Sequence, residues 1–228
     1  MEGYPAYCES MIPLNFGGQR LDGTRTVYLA EEPSKPVFAN FFGQSTFSRI
    51  ALVSGSSLVR VPDSTPLELF APLGCGLQTG AGSIFKSLNV RPGSNVAVFG
   101  AGCVGLSAIM AAKIRGAAII IAVDIQQDRL ELARKLGATH LLNGGDKDLC
   151  QQIQALCKPA KGVDFALDCS GVPAVIETMI DSLGMRGRAT SAGAPAPGKR
   201  VGVDVFAHLT SGREYVGCHQ GGSVAAEV

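Results

Sequence analysis

The sequence predicts an α/β fold in which a doubly wound parallel sheet follows a shorter, mainly β segment. Three observations carry that expectation. From residue 83 onward, short wholly apolar runs alternate with stretches of helical spacing, as strands buried on both faces do when helical crossovers join them. Residues 1–82 have a different texture, with Gly, Pro, Phe and Thr between short alternating patches such as "TVYLA" and "RIALVSGSSLVRVP", which favour strands and turns. Within the second texture, one apolar run passes through Gly100, Gly102 and Gly105 directly into a helix-forming stretch.

Taken in order, "SIFKSLNV" reads as the end of a helix, "RPGS" as a turn, "NVAVFG" as a buried strand and "CVGLSAIMAAKIRG" as a helix closed by Gly116. The pattern repeats with strand "AAIIIAVD", helix "DRLELARKLG", short strand "THLLN" and helix "DLCQQIQALC". It continues with strand "VDFALDCSG", helix "AVIETMIDSL" and a strand within "RATSAGAP". No tandem repeat interrupts the series, and "GAPAPGK" is a short loop.

Composition bounds what the chain does. At 228 residues it is long enough for one large domain or a domain and part of another. Hydrophobic residues reach 46% and charged residues only 17%, so part of the apolar surface is expected to lie against a partner or further chain. Twenty Lys and Arg against 19 Asp and Glu give a net charge of +1, which offers no basic face for a nucleic-acid backbone. The start "MEGYPAYCES" has neither the basic opening nor the apolar run of a secretory signal. No stretch approaches the ~20 apolar residues of a membrane span, and the expected setting is soluble and cytoplasmic. Seven cysteines without a C-x-x-C pair fit a reducing compartment better than a disulfide framework.

The glycine turn carries the first functional expectation. Gly100 permits the tight turn, Gly102 lets the backbone approach a pyrophosphate, and Gly105 lets the helix pack close to the sheet. The positive end of the following helix would face the phosphates. Asp124 closes the next strand at the distance where a carboxylate accepts the adenosine ribose hydroxyls and repels a 2'-phosphate, so a Rossmann-type unit with NAD is favoured over NADP. Arg129 follows closely enough to reach the same ribose.

The segment "APLGCGLQTGAGSIFKSL" resembles the "GCGxxTGxG" bridge of the zinc-dependent medium-chain alcohol dehydrogenases, aryl-alcohol branch. The blocks "GYPAYC", "NFGGQRLDGT", "FFGQSTFSRIALV", "IAVDIQQDRLELARKLGATHLLN", "GVDFALDCSGVPAVIE" and "GREYVG" are similar to successive parts of that branch. The resemblance implies a GroES-like catalytic domain, represented by residues 1–82, and an NAD-binding Rossmann domain over 83–228. It implies that Cys75 is a ligand of the catalytic zinc and Cys8 the last of four ligands of a structural zinc. Thr79 would lie beside the nicotinamide and Val104 would touch its back, while Cys169 and the Gly193–Ala194 turn would line the groove. Zinc would polarise the alcohol or carbonyl while hydride passes to or from the nicotinamide.

Several family features have no counterpart in this sequence. The second catalytic cysteine, the "GHE" histidine and three structural cysteines would precede Met1, and family members continue beyond "GGS" at Gly221–Ser223. His140, His208 and His219 form no ligand-like cluster. The chain therefore resembles an internal piece of a longer alcohol/aldehyde oxidoreductase. A homodimer through an edge strand of the cofactor sheet is implied near "VGVDVFAHL", Val201–Leu209. Two alternatives remain at this stage: a zinc-free enone or quinone reductase of the same superfamily, and a nucleotide-binding or dimerising remnant without turnover. Without the resemblance, Cys75 reads simply as a buried structural thiol.

Overall fold

A computed structural model describes residues 5–228, which divide into two compact units after Thr65. In the first unit, helix α1 (Met11–Phe16) is followed by two short antiparallel strands, β1 (Val27–Tyr28) and β2 (Pro36–Val37). The rings of Phe16, Phe41 and Phe42 meet edge to face. The Arg25 guanidinium lies 3.7 Å over the Phe38 ring. The strand expected within 49–62 does not form: the segment is irregular around one 3-10 turn, Gly55–Ser57, and Ile50 and Leu52 are exposed. Alternation marks residues suited to a half-buried face, but a strand also needs a neighbouring ladder, and this segment has none among the described residues.

The second unit opens with helix α2 (Leu67–Phe70), a 3-10 turn (Ala71–Gly74), helix α3 (Gly76–Gly82) and a π-helical turn (Ser83–Ser87). It continues with β3 (Asn95–Phe99), α4 (Cys103–Ile114), β4 (Ile119–Asp124), α5 (Gln127–Leu136), β5 (His140–Asn143) and α6 (Leu149–Leu156). Then come β6 (Val163–Asp168), α7 (Pro173–Asp181), β7 (Leu183–Ser191), α8 (Val205–Ser211) and β8 (Glu214–Gly217). The six strands β3–β8 form one parallel sheet in the order β5-β4-β3-β6-β7-β8. The order reverses between β3 and β6, which opens a crevice outside their carboxyl ends.

Why the strands read as unbroken apolar runs is visible in β3. Val96 and Val98 enter the core on one face, with Ile109 and Ile120, while Ala97 and Phe99 enter the other, with Ile153 and Met179. Side chains alternate across a strand, so a sheet covered on both faces has no polar side to show. Helix α4 lies close because Ala108, Ala111 and Ala112 are small and fully buried or nearly so. It ends at Gly116, φ +73°, where Gly116 N–H donates to Lys113 O and Ala117 N–H to Ala112 O, the hydrogen-bond pair of a Schellman stop. Helix α5 ends the same way at Gly137.

The compact units divide after Thr65, and α3 packs along α4: Gly80 sits against the Val104 carbonyl oxygen with no room for a side chain, and Ser107 Oγ donates to Leu77 O at 2.6 Å. The segment Val201–Leu209, read as edge-strand neighbourhood, is irregular and then helical. Asp204 caps α8 by accepting from Ala207 N–H at 2.9 Å, and Gly212 ends it with φ +60°. Such cap chemistry overrides a short alternating pattern; the outer strand on that side is β8.

At the amino ends of the strands lie two concavities of about 400 and 680 Å3. The first is bordered by Arg91, Asp164, Arg186, Arg188 and Glu214. Arg188 pairs with Glu214 at 3.2 Å, and Asp164 accepts the Asn95 N–H at 2.8 Å. Neither concavity reaches the glycine turn, which stands at the opposite ends of the strands. Among the described residues no helix is long and apolar enough to cross a membrane.

Candidate functional site

The carboxyl ends of β3, β4, β6 and β7 bring together residues far apart in sequence. Gly100 adopts φ +94°, a conformation closed to most side chains, and its N–H donates to Val123 O at 2.7 Å. That bond turns the chain sharply between β3 and α4. Gly105 packs directly against the Gly100 carbonyl oxygen, so a Cβ there would overlap it. Around Gly102, by contrast, a Cβ would meet nothing within 4 Å. The second glycine therefore faces open space, as a backbone waiting for a bulky ligand would.

Asp124, 7% exposed, closes the neighbouring strand. Its Oδ2 accepts the Ala101 N–H at 2.7 Å and its Oδ1 accepts the Gln126 N–H at 2.8 Å. One carboxylate thus ties the middle of the glycine turn to the start of the next loop. Arg129 Nη1 stands 3.9 Å from Oδ2 on the exposed side. Sequence reasoning marked Asp124 and Arg129 but not Ala101, whose N–H no pattern of side chains could reveal.

On the other side of the crevice, Cys169 N–H donates to Phe99 O at 2.7 Å, and the Cys169 carbonyl carbon is within 3.2 Å of where a Gly100 Cβ would stand. Gly193 N–H donates to Asp168 O at 3.1 Å. Gly171, φ +67°, packs on Gly193 and Ala194 so closely that a side chain on Gly193 would strike the Gly171 backbone nitrogen. Burial pushes the Cys169 thiol well above its usual range, and the Asp168 carboxylate adds to the effect. On the third side, α3 carries Thr79, buried against α4, and Gly76 within contact of Cys103 and Val104. Gly100, Gly102, Gly105, Cys169, Gly193 and Ala194 thus meet at the carboxyl ends of adjacent strands with Asp124 and Arg129 beside them, while Thr79 and Val104 lie on α3 and α4, which pack together. Cys8 belongs to the first unit.

Sequence reasoning missed Asp168. It is fully buried, and its carboxylate accepts from Ser170 N–H at 2.9 Å, Ser170 Oγ at 2.6 Å and Gly171 N–H at 3.2 Å. The signal was present as Asp-x-Ser-Gly after a strand, an Asx-turn pattern. Asp168→Ala removes the acceptor of hydrogen bonds from donors that water can reach, each worth about 0.5–1.5 kcal/mol; a drop of that size in urea-unfolding stability is the expected result, and unchanged stability would refute the bracing role.

A dinucleotide fits these residues, because the turn leaves its second glycine open and its acidic wall intact. Zinc does not fit them. Among the described residues no group of three or more His, Cys, Asp or Glu could hold a metal ion, and zinc takes three or four protein ligands. His140 opens β5 and meets Thr139 Oγ1 at 2.9 Å, His208 lies in α8, and His219 precedes the 3-10 turn Gln220–Gly222.

Residues 103–228 match the family described as zinc-binding dehydrogenase. A geraniol dehydrogenase of Castellaniella defragrans is 41% identical over 198 residues, which are 86% of this chain and 52% of that protein. An alcohol dehydrogenase zinc-binding domain protein from Burkholderia ambifaria superposes with a TM-score of 0.92 at 46% identity, over 98% of this chain and 60% of that one. Benzyl alcohol dehydrogenase from Acinetobacter calcoaceticus gives 0.88 at 40% identity, over 99% and 59%. The chain spans roughly half to three-fifths of the length of these relatives.

Proposed function

The chain belongs to the zinc-binding dehydrogenase family, and from that premise we propose that it binds NAD in the crevice at the β3/β6 switch point and serves an alcohol/aldehyde oxidoreductase. Residues 83–228 would be the NAD-binding domain and residues 1–82 part of a GroES-like catalytic domain. The observation that carries the reading is the open face of Gly102 beside the Asp124 carboxylate, itself fixed on the Ala101 N–H.

The nicotinamide, when bound, supplies the hydride acceptor or donor. Everything else in the proposal belongs to the chain. The free N–H groups at the start of α4 receive the diphosphate. Asp124 accepts the adenosine ribose hydroxyls, with Arg129 at its edge. Thr79 and Val104 bear on the nicotinamide, and Cys169, Gly193 and Ala194 wall the groove between them.

The substrates proposed are primary or aromatic alcohols, in keeping with relatives named for geraniol and benzyl alcohol. A homodimer through an edge of the cofactor sheet near Val201–Leu209, and a cytoplasmic setting, in keeping with seven free cysteines, complete the proposal.

Fluorescence titration tests it. NADH is expected to bind at least about tenfold more tightly than NADPH, a difference of about 1.4 kcal/mol. Equal affinities would remove the ribose role of Asp124, and absence of binding would end the nucleotide reading.

A further inference from the structure

The larger concavity at the amino ends of the strands, about 680 Å3, takes no part in the proposed nucleotide site. Strand order decides which residues meet there. Because β7 lies between β6 and β8, the residues that lead into those two strands flank its start. Lys161 stands just before β6 and Arg213 directly before β8. Lys158 follows the end of α6 at Leu156. All three border the concavity, and Pro159, Leu183 and Met185 give it apolar walls.

The charge of this concavity is unbalanced. No Asp or Glu borders it, and among the described residues none of the three cations forms an ion pair with a carboxylate. The Nε of Arg213 is shielded from water and has no hydrogen-bond partner. A donor shielded in this way is unfavourable until an acceptor reaches it. The neighbouring concavity differs in this respect, because Asp164 and Glu214 border it and Arg188 pairs with Glu214 at 3.2 Å.

We propose that the larger concavity binds a small organic carboxylate with an apolar body. The Arg213 guanidinium holds the carboxylate, since its planar fork matches two oxygens, and Lys158 and Lys161 add point charges beside it. The body lies against Pro159, Leu183 and Met185. Met185 is 70% exposed, and its thioether chain adapts to the shape that covers it. Mostly apolar walls with a few polar groups are the usual build of a small-ligand site, and the volume falls in the usual range of about 300–1,000 Å3. Inorganic phosphate would meet the cations and none of the walls, whereas a neutral alcohol would meet the walls alone. The concavity stands at the opposite ends of the strands from the glycine turn, so its ligand does not compete with NADH and the inference does not rest on the nucleotide reading.

Calorimetric titration of the full chain at fixed ionic strength tests it, with naphthoate as the probe. Naphthalenemethanol serves as the neutral counterpart and inorganic phosphate as the anion without a body. Naphthoate is expected to saturate a single site, with each counterpart at least about tenfold weaker. Lys158→Gln combined with Lys161→Gln, at two exposed positions, should weaken naphthoate at least about tenfold and leave urea unfolding unchanged. Arg213→Gln should do the same to binding; the lysine pair decides if that variant does not fold. Saturating NADH should leave the naphthoate affinity within about twofold. Absence of saturation at millimolar naphthoate overturns the proposal. So does either counterpart binding as tightly, an affinity untouched by the lysine substitutions, or displacement by NADH. Should NADH itself fail to bind, the nucleotide reading falls alone, and naphthoate titration of the parent and the lysine variant still decides this one.

Discussion

Asp124→Ala is expected to weaken NADH binding at least about tenfold, about 1.4 kcal/mol, and to lower stability as well. The carboxylate accepts two backbone N–H groups, from Ala101 and Gln126, and is itself almost wholly shielded from water. Removing it leaves at least one buried donor unpaired, which costs about 1–3 kcal/mol, and frees the glycine turn from the end of β4. A ligand gripping the sugar through the same oxygens would lose those contacts too. The two losses separate by measurement: urea unfolding reads the brace, and NADH fluorescence on the folded variant reads the ligand contact. If stability falls while NADH affinity holds, Asp124 is structural and the proposed sugar contact is wrong.

Gly105→Ala and Gly102→Ala are expected to fail in opposite ways. At Gly105 the new methyl overlaps the Gly100 carbonyl oxygen and comes within 3.3 Å of the Val98 side chain. Because the obstacle is backbone, α4 must shift, and overpacking of this kind costs about 1–3 kcal/mol; both stability and NADH binding should fall. At Gly102 the methyl enters empty space, so stability should stay within about 0.5 kcal/mol of the parent. NADH binding should nonetheless drop, since the methyl occupies the proposed approach of the diphosphate. A Gly102→Ala protein that binds NADH normally would place the ligand elsewhere.

How much the sequence disclosed follows from which interactions write themselves into residue type. A strand buried on both faces must be apolar throughout, so β3, β4 and β6 were legible as runs. Glycines required by a positive φ or a backbone contact, such as Gly100 and Gly105, were legible through spacing and position. The bond from Ala101 N–H to Asp124 was not, because every non-proline residue carries the same donor. Asp168 was passed over because a buried Asx turn needs only ordinary polar residues. The alternating 49–62 segment misled because pattern reports what a strand prefers, not whether a neighbour exists to pair with it. Near Val201, the cap residues Asp204 and Gly212 outweighed the alternation.

The pairing of Arg188 with Glu214 and of Asp164 with the Asn95 amide lies at one rim of the sheet, while the glycine turn occupies the other. The sheet thus has one rim given over to cohesion and, separated from it by the length of the strands, a second rim that carries the proposed nucleotide site. A tag or a surface attachment placed at the cohesive rim is expected to leave NADH binding at the opposite rim within about twofold of the parent. That separation gives an engineer a place to adjust robustness without touching nucleotide recognition.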